Sequence, residues 1–141
     1  PDDERGTRTA ALLGVTGPNA AVLIVEEAGA IATELATMLP EVHVLSAVAG
    51  ESEGPGLEAG VISRFRVAGT LPLRRAVVRG AALLGVDAIS LLEEAVRVVA
   101  PGGRIVVEPA GESLARESEL RGLQILLREA GVMVASTPGP R

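Results

Sequence analysis

VDAISLLEEAVRVVAPGGRIVVEP, running from Val86 to Pro109, decides the fold. Asp87 is an N-cap residue, because its carboxylate can accept a hydrogen bond from the free amides of a first helical turn. Ile89, Leu92, Val96 and Val99 recur at helical spacing, so the expectation is a helix with that stripe facing a core. Pro101-Gly102-Gly103 should end the helix, since proline lacks the amide donor and glycine adopts backbone conformations that other residues resist. Arg104-Ile105-Val106-Val107 then reads as a short apolar strand covered on both faces.

The same alternation extends outward. AAVLIV (Ala20 to Val25) reads as a buried strand after the Gly17-Pro18-Asn19 turn, and Ile31, Leu35 and Met38 mark a short helix ending at Pro40. VHVLSAV (Val42 to Val48) is a second strand. AGESEGPGLEAG (Ala49 to Gly60) has no helical periodicity and reads as a loop. In VISRFRV (Val61 to Val67) apolar and basic residues alternate, the pattern of a half-exposed edge strand. Ala76 to Leu84 holds a fourth strand. Leu120, Leu123, Leu127 and Ala130 are spaced as a last amphipathic helix capped by Gly131, and Val132 to Ala135 is a final strand. Strands alternating with helices predict right-handed crossovers and an α/β, Rossmann-like three-layer sandwich with a mostly parallel sheet. The loop at Ala49 to Gly60 is barely long enough for a parallel crossover, so the third strand either runs antiparallel or leaves its part of the sheet uncovered.

Composition narrows the chemistry. At 141 residues the chain is one domain, expected to span 20–135 with 1–19 as an N-terminal extension and 136–141 as a flexible tail. There is no Trp or Tyr and a single Phe, which argues against a site that stacks bases on aromatic rings. The absence of Cys excludes disulfides and thiolate metal sites, and one His removes most zinc sites and most catalytic triads. No metal site is expected. All 13 basic residues are arginine, a bias typical of GC-rich bacterial genomes. The net charge of -5 disfavours general nucleic-acid binding. No apolar run approaches a membrane span, and the acidic start PDDERGT is no secretory signal, so the expected location is cytoplasmic.

The helix, Pro-Gly-Gly turn and strand at Val86 to Pro109 resemble the late half of the class I S-adenosylmethionine-dependent methyltransferase fold. RFRVAGTLPLRRAVV resembles that family's third strand, "LP" loop and fourth strand, and GLQILLREAGVMVAS its closing helix, glycine turn and next strand. The resemblance runs from about Ala20 to Ala135, in reduced form, since the family's final antiparallel strand has no visible counterpart. It implies a cofactor site at VLIVEEAGAIA (Val22 to Ala32). There the family's strand acid is replaced by Ile24, and its three alternating glycines by Glu26, Ala28 and Ala30; Gly29 is out of register. Glu26 and Glu27 place negative charge at a helix N-terminus, which stabilises the helix but not a bound carboxylate. The acid that would bridge the ribose hydroxyls corresponds to Ser46, and the acid opening the fourth strand falls at Arg75 and Ala76. With these landmarks missing together, no cofactor and no catalytic residue are expected. The open alternative is a methyltransferase with a divergent motif, in which Glu26, Glu27, Ala28, Gly29, Ala30 and Ser46 would hold S-adenosylmethionine.

Other candidates read as structure. His43 lies in a strand with no local acid, and Glu93-Glu94 point about 100° apart on a helix, so they form no facing pair. The arginines differ. Between Glu58 and Asp87 there is no acid, while Arg64, Arg66, Arg74, Arg75 and Arg79 make a basic stretch in an acidic protein. These five are the expected interface, suited to an acidic protein surface or to anionic lipid headgroups. The functional expectation is therefore a non-catalytic, methyltransferase-like subunit of a larger protein complex, cytoplasmic or peripheral to a membrane assembly.

Overall fold

A computed structural model describes residues 2–14, 20–26, 30–39, 41–48, 61–66, 77–86 and 88–138, with backbone only at 2–6, 30 and 61–66. Its elements in chain order are α1 (Asp2–Leu13), β1 (Ala21–Glu26), α2 (Ala30–Met38), β2 (His43–Val48), β3 (Val61–Arg66) and β4 (Val78–Leu84). They continue as α3 (Ala88–Val98), β5 (Val99–Glu108), α4 (Glu112–Leu120), β6 (Gln124–Glu129) and β7 (Val132–Ser136). The strands form one seven-stranded sheet in the order β3-β2-β1-β4-β5-β7-β6. β1 to β5 are parallel, and β7 runs antiparallel to both β5 and β6.

The period-two alternation of side chains divides β1 between two cores. Leu23 and Val25 face the layer formed by α3 and α4, where Leu92, Ile105 and Met133 are buried with them. Val22 and Ile24 face the opposite layer, where Leu13 of α1, Ile31 and Leu35 of α2 and Val106 of β5 meet. Two apolar faces on one sheet explain why Val22 to Val25 and Ile105 to Val107 are continuous apolar runs: all seven residues are at most 1% exposed. The expected α/β three-layer sandwich with interior strands at these two runs is the fold observed.

Several local expectations are corrected. The buried stripe of α3 is Ala88, Leu91, Leu92, Ala95 and Val98, whereas Ile89 is 50% exposed. The packed face includes the small side chains of Ala88 and Ala95, buried in the core, and turns away from the bulkier Ile89. The helix also stops at Val98, before Pro101. Residues 100–103 of β5 stand opposite Arg79 alone, as a wide excursion between the pairs Val78↔Val99 and Gly80↔Arg104. Thr137 fastens this excursion: its amide donates to the Gly103 carbonyl at 2.9 Å and its hydroxyl to the Ala100 carbonyl at 2.8 Å. A Cβ on Gly103 would lie 2.5 Å from the Arg79 carbonyl oxygen, so glycine is required there.

Most of the expected helix at Leu120 to Ala130 is instead strand β6, with Leu120 closing α4, and the antiparallel end of the sheet is present. Ala130 (φ 51°) and Gly131 (φ 80°) both have positive φ between the paired residues Glu129 and Val132. That is the two-residue hairpin connection whose twist matches antiparallel strands. The helix of this region lies earlier, at Glu112–Leu120, and Gly122 (φ 85°) follows its end. β3 runs parallel to β2 at the sheet edge; the loop at Ala49 to Gly60 lies outside the described residues.

Residues 2–13, within the segment expected as an extension, form α1, which packs on α2, β4 and β5. Leu13 is 2% exposed. Arg104 donates from Nη1 to the Leu12 carbonyl at 3.2 Å, satisfying an otherwise open acceptor at the end of α1.

Candidate functional site

In an open parallel sheet the ligand crevice lies beyond the carboxyl ends of the strands, where the strand order reverses. Here that point is between β1 and β4. The register sets a row of residues along this end: Arg66 opposite Val48 and Val48 opposite Glu26, then Leu84 opposite Glu108. Gly85 continues from β4 with φ 67°, its amide donating to the Glu108 carbonyl at 2.7 Å.

Glu26 ends β1 and is 6% exposed. Its Oε1 accepts from the Ile31 amide at 3.0 Å and its Oε2 from the Ala32 amide at 2.9 Å. Both amides belong to the first turn of α2, where helix donors have no partner within the helix. The negative carboxylate also complements the positive end of the helix dipole. Glu108, the last residue of β5, is held by an ion pair from Arg8 of α1. Among the described residues, the two acids that end strands here are therefore both bonded within the fold.

Beside the β4 and β5 ends lies a cleft of about 280 Å³ between the starts of α3 and α4, lined by Val86, Ile89, Pro109, Glu112, Ser113 and Leu114. It is mainly apolar, with one carboxylate and one hydroxyl. Gly111 precedes α4 and offers no side-chain cap.

The remaining sequence candidates are dispersed. Ser46 lies within β2 opposite Ile24, fully buried, and its Oγ has no hydrogen-bond partner among the described residues. It is two residues short of the strand end, where Val48 stands. Glu27, Ala28 and Gly29 lie outside the described residues, and Ala30 opens α2. His43 opens β2 opposite Ala21, at the amino end of the sheet, far from the crevice. Glu94 accepts two hydrogen bonds from Arg97, at 3.1 and 3.0 Å, which raises that arginine's pKa further. Glu93 lies 3.9 Å from Arg121. Among the described residues no cluster of three or more His, Asp or Glu could hold a metal.

The five arginines do not share one surface element. Arg64 and Arg66 are on the edge strand β3, Arg74 and Arg75 lie outside the described residues, and Arg79 is exposed near the start of β4. β2 and β1 separate β3 from β4. The contacts that composition did not reveal are Glu26 to α2 and Arg8 to Glu108. The first had a signal, an acid placed just before a helix; the second pairs residues far apart in sequence and had none.

No family model matches the sequence, and no curated protein matches it. Solved structures do. The cyclase SpnF aligns with a TM-score of 0.77 at 13% identity, over 98% of this chain and 81% of that one. A geranyl diphosphate methyltransferase in complex with S-adenosylmethionine gives 0.77 at 12% identity, over 95% of this chain and 84% of the other. The geranyl diphosphate C-methyltransferase of Streptomyces coelicolor A3(2) was solved with Mg2+, geranyl diphosphate and S-adenosylhomocysteine. It gives 0.76 at 13% identity, over 96% and 79%.

These structures correct the expectation that the chain takes no cofactor. Two were solved with S-adenosylmethionine or its demethylated product in the same fold. The physical reason is that the crevice is made by the reversal of strand order, which survives the loss of a glycine motif. One end of the cofactor nevertheless does not fit the residues present. The first-turn amides of α2 that could bind an amino-acid carboxylate are already bonded to Glu26. At these identities the likeness is one of fold, and the fold of this chain is that of the class I S-adenosylmethionine-dependent methyltransferases.

Proposed function

We propose that this chain is a methyltransferase-fold domain that binds an adenosyl ligand of the S-adenosylmethionine class beyond β1, β2 and β4, and serves a larger assembly without catalysing methyl transfer itself. The observation that carries the second half is the engagement of the two acids that end strands at the crevice among the described residues. Glu26 is bonded to α2 and Glu108 to Arg8, which leaves neither positioned as a base for a methyl acceptor. Fold alone does not fix the reaction, and one of the similar structures carries the name of a cyclase.

The second reading, an active methyltransferase with a divergent motif, is favoured by the cleft of about 280 Å³ beside the crevice, which has room for a small acceptor. Calorimetric titration with adenosyl thioethers, followed by transfer of labelled methyl groups into host extract, separates the two. Binding at micromolar levels without transfer supports our reading. Binding with transfer promotes the alternative, and absence of any binding sinks both.

For the assembly role, the edge strand β3 is the proposed docking side, because it carries Arg64 and Arg66 and its outer edge pairs with no strand among the described residues. The partner would be an acidic protein surface, with a headgroup surface as the other candidate. Rim arginines speed association and weaken with salt. Unchanged recovery of partners from the host after changing Arg64, Arg66, Arg74 and Arg75 to glutamine would refute this docking side. Among the described residues, no helix is long and apolar enough to cross a membrane.

A further inference from the structure

We propose that β6 is a docking edge for a second copy of this chain, added antiparallel across a two-fold axis so that the two sheets continue as one. β6 is the last strand of the sheet and pairs only with β7 among the described residues. In an antiparallel ladder alternate residues point their amides and carbonyls outward, so this edge presents unpaired donors and acceptors. The side chains along it are apolar: Leu126 is 46% exposed, and Ile125 and Leu127 are half-buried. The opposite edge differs, since β3 carries Arg64 and Arg66, charges of the kind that discourage pairing of like strands.

Charge decides the occupant. A groove of about 510 Å³ lies between α4 and β6, lined by Glu112, Arg116, Glu119, Leu120 and Arg128. Two acids and two bases share it, and among the described residues none of the four forms an ion pair. A partner carrying one sign of charge would be repelled by half of this set. A second copy brings both signs in reversed order, as a self-complementary two-fold interface requires.

Topology fixes how the charges meet. β6 is antiparallel to β7 and β7 to β5, so β6 points as β5 does and α4 returns between them, antiparallel to β6. Glu119 therefore lies toward the Gln124 end of β6 and Arg128 toward the other end. Arg128 is on the α4 side of the sheet, paired with Met133, which is buried in the core under α4. A two-fold axis perpendicular to the sheet, through the middle of β6, reverses the strand and keeps both α4 helices on one side. It brings Arg128 of each copy toward the partner's Glu119 and sets the two Leu126 side chains close to the axis. The bulge at Leu126 keeps the added pairing short, so the dimer is reversible with concentration.

The test is sedimentation equilibrium of the full chain over a wide concentration range, with hydrogen exchange of the same samples. We expect a mass that rises from 14.3 kDa toward twice that value, and protection of the β6 amides that β7 leaves free as the dimer forms. Leu126→Lys should weaken the dimer at least about tenfold, as should Glu119→Arg or Arg128→Glu, because each change acts twice across the axis. Combining Glu119→Arg with Arg128→Glu should restore association to within about threefold of the unmodified protein. A mass of 14.3 kDa at every concentration overturns the proposal. So does a dimer that the single changes leave intact, or one that the combined change fails to restore. Should a variant fail to fold, the unmodified dimer decides: free exchange of the outward β6 amides in it overturns the proposal.

Discussion

Arg8 of α1 and Glu108 of β5 are joined by an ion pair across a separation of 100 residues. With the bond from Arg104 to the Leu12 carbonyl, it ties α1 to β5 at two points, Arg104 and Glu108. The helix therefore lies along the sheet, with Arg8 at the carboxyl end of β5.

Loss of that pair should loosen α1 more than it weakens the protein. The side chains are 50% and 23% exposed, and pairs of this kind contribute about 0.2 to 1 kcal/mol. Arg8→Ala should thus lower global stability by less than about 1 kcal/mol while raising hydrogen exchange in α1. Exchange in α1 equal to that of the unmodified protein would show that the pair does not hold the helix.

Gly103 and Gly85 should respond differently to alanine. At Gly103 the new methyl would meet the Arg79 carbonyl at 2.5 Å and Val99 Cγ1 at 2.6 Å, both within the strands of the sheet. Overpacking there should cost about 1 to 3 kcal/mol or more. Gly85 has open space around its position, and only its φ of 67° opposes a side chain, an effect on the order of 1 kcal/mol. Urea denaturation of the two variants checks the order; a smaller loss at Gly103 than at Gly85 would contradict it.

Ser46 is the residue whose replacement should do least harm in the core. Its hydroxyl is fully buried without a partner among the described residues, and burying such a group costs about 1 to 3 kcal/mol. Ser46→Ala should leave stability unchanged or raise it by up to about 1 kcal/mol. A loss above 1 kcal/mol in denaturant titration would show that the hydroxyl has a native partner.

The parts of the fold visible in the sequence were those where burial on two sides leaves a continuous apolar run, as in Val22 to Val25 and Ile105 to Val107. What stayed hidden depended on tertiary choice. Leu120, Leu123 and Leu127 fit a helical spacing, yet Ala130-Gly131 and pairing with β7 make the region a hairpin strand. The stripe of α3 was misplaced because alanine carries little hydrophobic signal, although Ala88 and Ala95 are both buried in the core. At the site, the missing glycines were plain in VLIVEEAGAIA, but strand order, which forms the crevice, is a property of long-range pairing. The Arg8–Glu108 pair joins opposite ends of the chain and leaves no local pattern.

The central claim is that the crevice at the β1/β4 reversal takes an adenosyl ligand. The most direct measurement is the mapping of backbone amide shifts in the 14.3 kDa chain during titration with S-adenosylhomocysteine. The account predicts saturable shifts at Glu26, Ile31, Val48 and Gly85, with α4 and β6 unmoved. Shifts confined to α4 and β6, or none at saturating ligand, would contradict it.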